Sequence, residues 1–553
     1  METTKIDKFY ELVLKNKAKS HQKESILLEK EEKNVEDNLD NISTCSDDFT
    51  SATSPQNKEL AEIPEAPFFT NLMVYFHYFT MISFAVFSAW LRSTKIFNIK
   101  YPQELETQKD FPSLDNKFET TFINGVYRMA NDVVNRPISS VPGTKLTIKE
   151  RVTDDYGWSY KFTGTYKDIL NFGSYNYLGF SQNDGPCAEA AINEIENGGI
   201  GVCSTKHEIG NTILQREVEQ QVANFIGVED AIIFPMGFGT NSMNISSLVN
   251  DDCLVLSDQL NHNSIVTGCR MSKATIKVFK HNDPIDLERV IRKTLPYGNP
   301  KKGGSKYKKI LIIVEGIYSM EGTIVDLPAI VAIKKKYNAY LFLDEAHSIG
   351  AMGPNGKGVV DYFGMDASDV DIMMGTLTKS FAAAGGYIGG SKKTIDHIRA
   401  SSSGAIYGGV YSAPVLAQIQ SSLRIIEGSD GSDIGAKKIN NLLRNSRYFR
   451  AKLKQLGFHV CGSRDSPVIP IMTYYISKVV AFGREALLRD LGAVSVGYPA
   501  TPLTAARVRF CMCADHTKEQ LDSALKIIDK VGTMLGIKYG VVTEEMKNKK
   551  IIY

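Results

Sequence analysis

The chain has 553 residues, of which 43% are hydrophobic and 10% aromatic, and its formal net charge is +2. Its length and composition predict more than one domain around a large core, and the near-neutral charge excludes bulk attraction to nucleic acid. The eight cysteines are scattered, without CxxC pairs, and no HExxH occurs. This pattern indicates neither a zinc site nor a disulfide framework, and it favours a reducing compartment.

The N-terminal region changes character abruptly. Residues 1–63 are rich in Lys, Glu, Asn, Asp and Ser and are predicted to be a disordered polar tail. Residues 64–95 are predicted to be a membrane-associated or transmembrane helix, because Phe68 to Leu91 contains no Asp, Glu, Lys or Arg. Twenty such residues suffice to cross a hydrocarbon core at ~1.5 Å per residue. Asn71 and His77 leave a second interpretation open, a helix lying in the membrane plane.

Charges flank this apolar segment asymmetrically. Acidic residues precede it and basic residues follow it: Glu59, Glu62 and Glu65, then Arg92, Lys95 and Lys100. The positive-inside tendency therefore places the large C-terminal part in the cytosol. Residues 96–154 are expected to form a linker and an N-terminal helical segment.

Strands and helices alternate from about residue 155, which predicts an α/β domain with a mostly parallel sheet over 155–430. The predicted strands are short apolar runs: Ala231–Phe234, Cys253–Leu256, Ile310–Val314, Tyr340–Leu343 and Ile372–Met374. Helices are predicted over Leu214–Ile226 and Pro328–Lys336. Beyond this region, 431–540 is predicted to be a smaller α+β domain with helices over 435–455 and Lys518–Met534, followed by a tail, 541–553.

Functional groups of open α/β sheets cluster beyond the carboxyl ends of parallel strands. After the first predicted strand, Gly237-Phe238-Gly239 opens a helix whose free N–H groups suit a phosphate. A purely structural glycine turn explains this run as well. His262 follows the second strand and is a candidate for stacking on a ring, although a lone histidine is more often structural.

The third strand end reads Asp344-Glu345-Ala346-His347. The same letters occur in DEAH helicases, whose acids serve a nucleotide's magnesium. That interpretation requires a GxxxxGK[ST] loop upstream, which the sequence lacks. An acid at a buried strand end also suits pairing with a protonated pyridine nitrogen.

The fourth strand end places Lys379 in a run of hydroxyl side chains after Ile372–Met374. Burial lowers the pKa of an amine, and a neutral amine can form a Schiff base. A Schiff-base lysine, a strand-end acid, a glycine-rich phosphate cradle and a stacking histidine together predict a pyridoxal phosphate site. No metal site is predicted.

On these motifs the chain resembles the α-oxoamine synthases, pyridoxal phosphate enzymes of the aspartate-aminotransferase fold (fold type I). The resemblance covers roughly 155–535 and rests on eight segments: NFGSYNYLGF (171–180), STKHEIGN (204–211), FPMGFGTN (234–241), DQLNHNSIVTG (258–268), VEGIYSMEG (314–322), LDEAHSIGAMG (343–353), GTLTKSFAAAGGYIGG (375–390) and FCMCADHT (510–517). Within the family, the TKSF run and the apolar N-terminal segment are similar to those of membrane-bound members that use serine and a long acyl-CoA.

The resemblance implies how the cofactor is held. Lys379 would carry it as a Schiff base and later move the substrate's Cα proton. Asp344 would pair with the pyridine nitrogen, and His347 would bond the phenolic oxygen of the ring. His262 would stack over the ring. The phosphate would be held by Thr376 together with Gly237, Phe238 and Gly239, and a partner subunit could add to this set.

The resemblance is less complete at the substrate carboxylate, which Asn176 would contact. Single-subunit members carry an arginine before a PPAT-like turn, and the matching residue here is Gly497. Arg507 and Arg509 remain as candidates, with bracing of the small domain as the alternative role. Ala382 stands where glycine is common after the lysine, and the sequence assigns no consequence to it.

The resemblance implies decarboxylative condensation of L-serine with palmitoyl-CoA to 3-ketodihydrosphingosine, CoA and CO2, the first step of sphingolipid biosynthesis. It also implies a heterodimer with a homologous long-chain-base subunit that lacks the lysine, at the endoplasmic reticulum membrane. Two alternatives remain open: an α-oxoamine synthase that uses glycine or alanine with a shorter acyl-CoA, and a non-catalytic scaffold subunit of the same complex. Lys379, Asp344 and His347 favour a catalytic chain.

Overall fold

The N-terminal part of the described chain is built around the predicted apolar helix. The computed structural model describes residues 63–93, 106–112 and 116–553, so residues 1–62 of the predicted tail lie outside the described residues. Helix α1 (Phe68–Ser93) contains a stretch with a mean hydropathy of 1.5 that is long and apolar enough to cross a membrane. Only a narrow stripe of α1, including Val74 and Ala85, is buried.

The buried stripe of α1 packs on the C-terminal part of the chain. Val74 and Tyr78 share an apolar cluster with Met472 and Tyr474. The Tyr474 hydroxyl also donates to the carbonyl of Glu65, at 3.2 Å, just before α1 begins. The helix is therefore fastened along one side, while its other aromatic side chains are exposed.

Two helices and a hairpin follow α1. The helices are α2 (Lys117–Gly125) and α3 (Asn131–Val134), and the strands are β1 (Lys145–Val152) and β2 (Lys161–Asn171). The structure differs here from the expected linker and helical segment over 96–154, because residues 145–152 of that segment form strand β1. The reason is antiparallel pairing with β2, in which Leu146 lies opposite Ile169 and both are buried.

The large sheet has seven strands in the order β3-β9-β8-β7-β6-β4-β5. They are β3 (Asp230–Phe234), β4 (Cys253–Asp258), β5 (Thr275–Phe279), β6 (Lys309–Glu315), β7 (Tyr340–Asp344), β8 (Ile372–Thr376) and β9 (Gly386–Gly390). All neighbours are parallel except β9, which is antiparallel to both β3 and β8. This confirms the mostly parallel sheet, and the five predicted strands are all present.

Helices surround the large sheet. They are α4 (Pro186–Gly198), α5 (Ile213–Ile226), α6 (Gly237–Ser242), α7 (Ile245–Leu248), α8 (Asn263–Met271), α9 (Pro284–Thr294), α10 (Leu327–Lys336), α11 (Val359–Tyr362), α12 (Lys392–Ser401), α13 (Ser403–Tyr407) and α14 (Ala413–Glu427). Alternate strand residues enter two separate apolar clusters, Ile233 in one and Ile232 in the other. The sheet is therefore buried on both faces, as its continuous apolar strands require.

The C-terminal part forms a smaller α+β unit. Its elements are α15 (Ile434–Gln455), β10 (Val468–Tyr474), α16 (Ile476–Leu487), β11 (Leu491–Gly492), β12 (Val494–Val496), β13 (Ala506–Cys511), α17 (Lys518–Leu535) and α18 (Glu544–Asn548). Strands β10, β13 and β12 form an antiparallel sheet in that order, and β11 pairs with β2. Both predicted helices are present, as α15 and α17.

The register of the large sheet brings the third and fourth predicted strand ends together. Glu315 at the end of β6 lies opposite Asp344 at the end of β7, and Asp344 lies opposite Met374 of β8. The chain then leaves β8 at Thr376 and reaches Lys379 three residues later. Two acids and an amine therefore meet at one edge of the sheet.

Candidate active site

Lys379 is a largely enclosed amine without a close polar partner. Its Nζ lies 5.4 Å from the centre of the Tyr175 ring, and this nitrogen forms no hydrogen bond or salt bridge with any residue that the structure describes. Burial lowers the pKa of Lys379 to about 8, although the negative charges of Asp344 and Glu315 oppose this change. A substantial neutral fraction near neutral pH makes the amine nucleophilic.

Asp344 is 3% exposed and receives one hydrogen bond on each carboxylate oxygen. Asn241 Nδ2 donates to Oδ2 at 2.7 Å, and the backbone N–H of Ala346 donates to Oδ1 at 2.9 Å. Burial raises the pKa of Asp344, and the bond from Asn241 is the largest effect that opposes it. Each oxygen keeps a lone pair that can accept a further donor, such as a pyridinium N–H.

His262 lies immediately before α8. Its Nδ1 accepts from the backbone N–H of Ser264 at 3.2 Å and lies 2.8 Å from Ser264 Oγ. Burial lowers the pKa of His262, which keeps the ring neutral. The Phe238 ring lies 6.1 Å away, centre to centre, and the backbone N–H of His262 donates to Glu315.

His347 is fixed by two tyrosines. Its Nδ1 lies 2.7 Å from the Tyr177 hydroxyl, and the Tyr175 ring meets it edge-on at 5.1 Å. Burial lowers the pKa of His347 well below its ordinary value, helped by the positive charge of Lys379. Because Tyr177 holds Nδ1, Nε2 is the nitrogen that can face a ligand.

Thr376 and Gly237 lie close together at the place where the phosphate cradle is predicted. The Thr376 Oγ1 lies 2.7 Å from Thr378 Oγ1 and 3.1 Å from the Gly385 carbonyl oxygen. A Cβ on Gly237 would come within 3.2 Å of Thr376 Oγ1. Glycine therefore lets the first turn of α6, which has no capping side chain, approach this hydroxyl.

The two arginines of β13 differ in their surroundings. Arg507 is 2% exposed, forms a 3.0 Å salt bridge with Glu321 and donates to the Met320 carbonyl at 2.8 Å. Through these contacts Arg507 connects β13 of the small sheet to the loop that follows β6 of the large sheet. The structure does not place Arg507 beside Lys379.

Arg509 does enter the site. Its guanidinium lies 4.8 Å from the centre of the Tyr175 ring, and its positive charge lowers the pKa of Lys379. Nη1 donates to the Ser319 carbonyl at 3.1 Å, while Nε is buried without a partner among the described residues.

At Gly497, the position of the arginine in single-subunit members, a side chain would require Ile476 to move. A Cβ there would lie 2.2 Å from Ile476 Cδ1. Ala382, where glycine is common, has a φ of 52°. That left-handed conformation is the reason glycine suits this position, since it costs an L-residue free energy.

Asn176 is buried and partly engaged. Its Nδ2 donates to the Pro142 carbonyl at 3.1 Å, and its Oδ1 is buried without a partner in the described part of the chain. Only the second N–H of this amide can reach a carboxylate, because Oδ1 is an acceptor.

Five site residues escaped the sequence analysis: Tyr175, Tyr177, Asn241, Ser264 and Glu315. All five lie inside motifs that carry the resemblance, but for four of them nothing in the sequence distinguishes the residue from its neighbours. Glu315 did carry a signal, because it ends an apolar strand just as Asp344 does.

These groups fit pyridoxal phosphate. Lys379 offers an unpaired amine for its aldehyde, Asp344 an acceptor for its ring nitrogen, and Thr376 with the Gly237 turn offers donors for its phosphate. The Gly237 surface, which a Cβ would fill, is the structural observation that best matches an anionic group approaching the backbone.

Comparison with known proteins agrees with this fit. A family model described as aminotransferase class I and II matches residues 167–528. Serine palmitoyltransferase 3 of Caenorhabditis elegans is 53% identical over 482 residues, which is 87% of this chain and 94% of that protein. Long chain base biosynthesis protein 2b of Arabidopsis thaliana is 44% identical over 86% of this chain and 96% of that protein.

Solved structures lead to the same fold. A high-resolution structure of SPT with a PLP internal aldimine has a TM-score of 0.67 and 27% identity, covering 77% of this chain and 100% of that chain. The serine palmitoyltransferase of Sphingomonas wittichii has the same TM-score at 25% identity. The predicted fold type I architecture and the pyridoxal phosphate cofactor are confirmed by these comparisons.

Proposed function

The chain belongs to the serine palmitoyltransferase family, and we propose that it is a catalytic chain that condenses L-serine with palmitoyl-CoA to 3-ketodihydrosphingosine, CoA and CO2. The observation that carries this proposal is Lys379, an unpaired amine with a pKa of about 8 at the strand end beside Asp344. A scaffold chain would have no use for a buried amine left without a partner.

Each residue of the site has a distinct task in this proposal. The Asp344 carboxylate accepts a hydrogen bond from the protonated ring nitrogen, and His347 Nε2 meets the phenolic oxygen. Thr376 and the N–H groups of the Gly237 turn bind the phosphate, and His262 stacks over the ring. Bound pyridoxal phosphate supplies an electron sink for the negative charge that develops at the substrate Cα.

Lys379 moves the proton at the substrate Cα. An amine with a pKa of about 8 exchanges protons readily at neutral pH, because both of its protonation states are populated. The negative charges of Asp344 and Glu315 stabilise the protonated form of this amine. The amine can therefore accept the Cα proton and return it after the new carbon–carbon bond has formed and CO2 has left.

Arg509 is the better candidate for binding the serine carboxylate. It is beside Lys379, and its buried Nε lacks a partner among the described residues, so it has a donor to offer. Arg507 is already neutralised by Glu321. The Tyr175 ring lies against both Arg509 and Lys379.

The proposed setting is a heterodimer with a homologous long-chain-base subunit that lacks the lysine, at the endoplasmic reticulum membrane with the catalytic unit in the cytosol. The exposed aromatic side of α1 supports membrane attachment. Its buried stripe against Tyr474 and Met472 favours a helix that lies in the membrane plane over one that crosses it.

The test uses the full chain co-expressed with its lysine-lacking partner. Membranes receive labelled serine and palmitoyl-CoA, and formation of the long-chain ketone is measured against glycine, alanine and shorter acyl-CoAs. Borohydride reduction and peptide mapping should place the cofactor on Lys379. Lys206, whose pKa burial also lowers to about 8, is the internal control because its Nζ donates to the Ile233 carbonyl at 3.0 Å.

Two results would contradict the proposal. An adduct on another lysine would remove Lys379 from its role. A clear preference for glycine or alanine with a short acyl-CoA would assign the chain to a different α-oxoamine synthase activity.

A further inference from the structure

A continuous hydrogen-bonded chain joins Asp344 to His262 beneath the site. Asn241 Nδ2 donates to Asp344 Oδ2 at 2.7 Å and to Ser264 Oγ at 3.0 Å. Ser264 Oγ in turn lies 2.8 Å from His262 Nδ1. Asn241 is 1% exposed and Ser264 is also buried, so water does not compete for these bonds.

The chemistry of the groups fixes the direction of every proton in this chain. An amide nitrogen only donates, so Asn241 gives one hydrogen to the Asp344 carboxylate and the other to the Ser264 oxygen. Ser264 can then donate its own hydrogen to His262 Nδ1. The backbone N–H of Ser264 donates to the same nitrogen at 3.2 Å. His262 therefore carries its single proton on Nε2.

The orientation of the Asn241 amide is also fixed. Its Oδ1 is buried without a partner among the described residues. Rotating the amide would direct that oxygen at the Asp344 carboxylate and leave two acceptors facing each other. The unpartnered oxygen is thus the cost of directing both N–H groups at Asp344 and Ser264.

We infer that Asn241 is a positioning residue that couples the acid under the cofactor ring to the histidine over it, setting the charge of Asp344 and the tautomer of His262 together. The inference rests on the proposed roles of Asp344 and His262. Glu315 supports the same arrangement from the neighbouring strand, because it accepts the backbone N–H of His262.

The test compares variants of the full chain purified with its partner subunit. Asn241→Leu keeps the shape of the side chain and removes both donors, and Ser264→Ala removes only the hydroxyl. The matched control is Asn244→Leu: Asn244 is equally buried, but its amide donates to the backbone carbonyl of Thr240 at 2.9 Å. The readouts are the Kd for pyridoxal phosphate by equilibrium dialysis, the pH titration of the bound cofactor's visible absorbance, and the unfolding midpoint without cofactor.

Asn241→Leu is expected to weaken pyridoxal phosphate binding by about 10- to 100-fold and to shift the absorbance titration, because a bond to a charged group is lost. Ser264→Ala should have a smaller effect, since the backbone N–H still holds His262. The double variant should resemble Asn241→Leu alone, because both substitutions interrupt one chain. Asn244→Leu should lower the unfolding midpoint and leave the absorbance titration in place.

The inference is overturned if Asn241→Leu changes only the unfolding midpoint, as its control does, or if the effects of Asn241→Leu and Ser264→Ala on Kd multiply independently. Asp344→Asn separates this failure from failure of the proposed function. If Asp344→Asn leaves the Kd unchanged, the proposed role of Asp344 is wrong. If it weakens binding while Asn241→Leu does not, only the inference fails.

Discussion

The carboxyl edge of the large sheet and strand β13 of the small sheet both hold buried charges, but they pair them differently. On β13, Arg507 has an acid and backbone carbonyls as partners. At the sheet edge, Lys379 has no polar partner among the described residues. Arg509 is intermediate, with one bonded nitrogen and one unpartnered. A buried cation whose hydrogen-bond partners are all within the protein indicates a structural role. A buried cation with an unpartnered nitrogen indicates a group that can bind a ligand.

The strongest test of this contrast is Lys379→Ala. We expect formation of the long-chain ketone to fall by about 10⁴-fold, because nucleophile and proton carrier are lost together. The unfolding midpoint measured without cofactor should not fall, since no hydrogen bond or salt bridge to the amine is lost. Activity is measured with labelled serine, and stability by thermal unfolding of the purified complex. Retained turnover would show that another group carries the proton.

The reverse behaviour is expected for Arg507→Ala. Removing it leaves Glu321 charged and buried, which should lower the free energy of unfolding by about 3–5 kcal/mol. Replacing both partners, with Arg507→Met and Glu321→Leu, should restore most of the loss, because no unpaired charge remains. Denaturant unfolding of both variants measures this. If the double variant is as unstable as the single one, the pair is not what braces the strand.

Glu345 allows the same comparison between adjacent residues. It follows Asp344 directly in the chain, but its carboxyl group has different hydrogen-bond donors. The Ser348 hydroxyl and the backbone N–H of Val359 both donate to it. Burial raises the pKa of Glu345 from 4.5 to about 7. Folding therefore favours the protonated acid. Its contribution to the free energy of unfolding is fully present below pH 4.5 and is lost as the pH rises through about 7.

Glu345→Gln should remove this dependence. From pH 5 to pH 8 the wild-type protein should lose stability relative to the variant, by on the order of 3 kcal/mol. The unfolding midpoints of both proteins across this interval measure the difference. A constant difference would mean that Glu345 stays ionised in the folded protein.

The smallest expected effect belongs to Arg509→Lys. The charge is kept, but the flat guanidinium over Tyr175 is lost, so we expect the KM for serine to rise about 10-fold. The kcat should change less, and the KM for palmitoyl-CoA should stay constant. Steady-state kinetics with each substrate varied in turn measures this. A selective rise in the KM for palmitoyl-CoA would move Arg509 away from the amino acid.

The sequence predicted the large sheet and the partnership of Asp344 with Lys379, because buried parallel strands are short apolar runs and their ends collect functional groups. It missed β1, where apolar residues are too few to reveal an alternation without knowledge of β2. It could not separate Arg507 from Arg509, since residues two apart share one face of a strand. Only the position of Glu321, far away in the chain, makes that distinction.

The loop that follows β6 receives both arginines of β13, Arg509 at Ser319 and Arg507 at Met320 and Glu321. Hydrogen bonds and an ion pair thus connect the small sheet that contains β13 to the large sheet that contains β6. Enzymes that close upon their substrates use part of the binding free energy to drive the movement. A closing movement between these sheets would have to break the bonds of Arg507 and Arg509, so we expect the choice of amino acid to depend on the side chains that line the site.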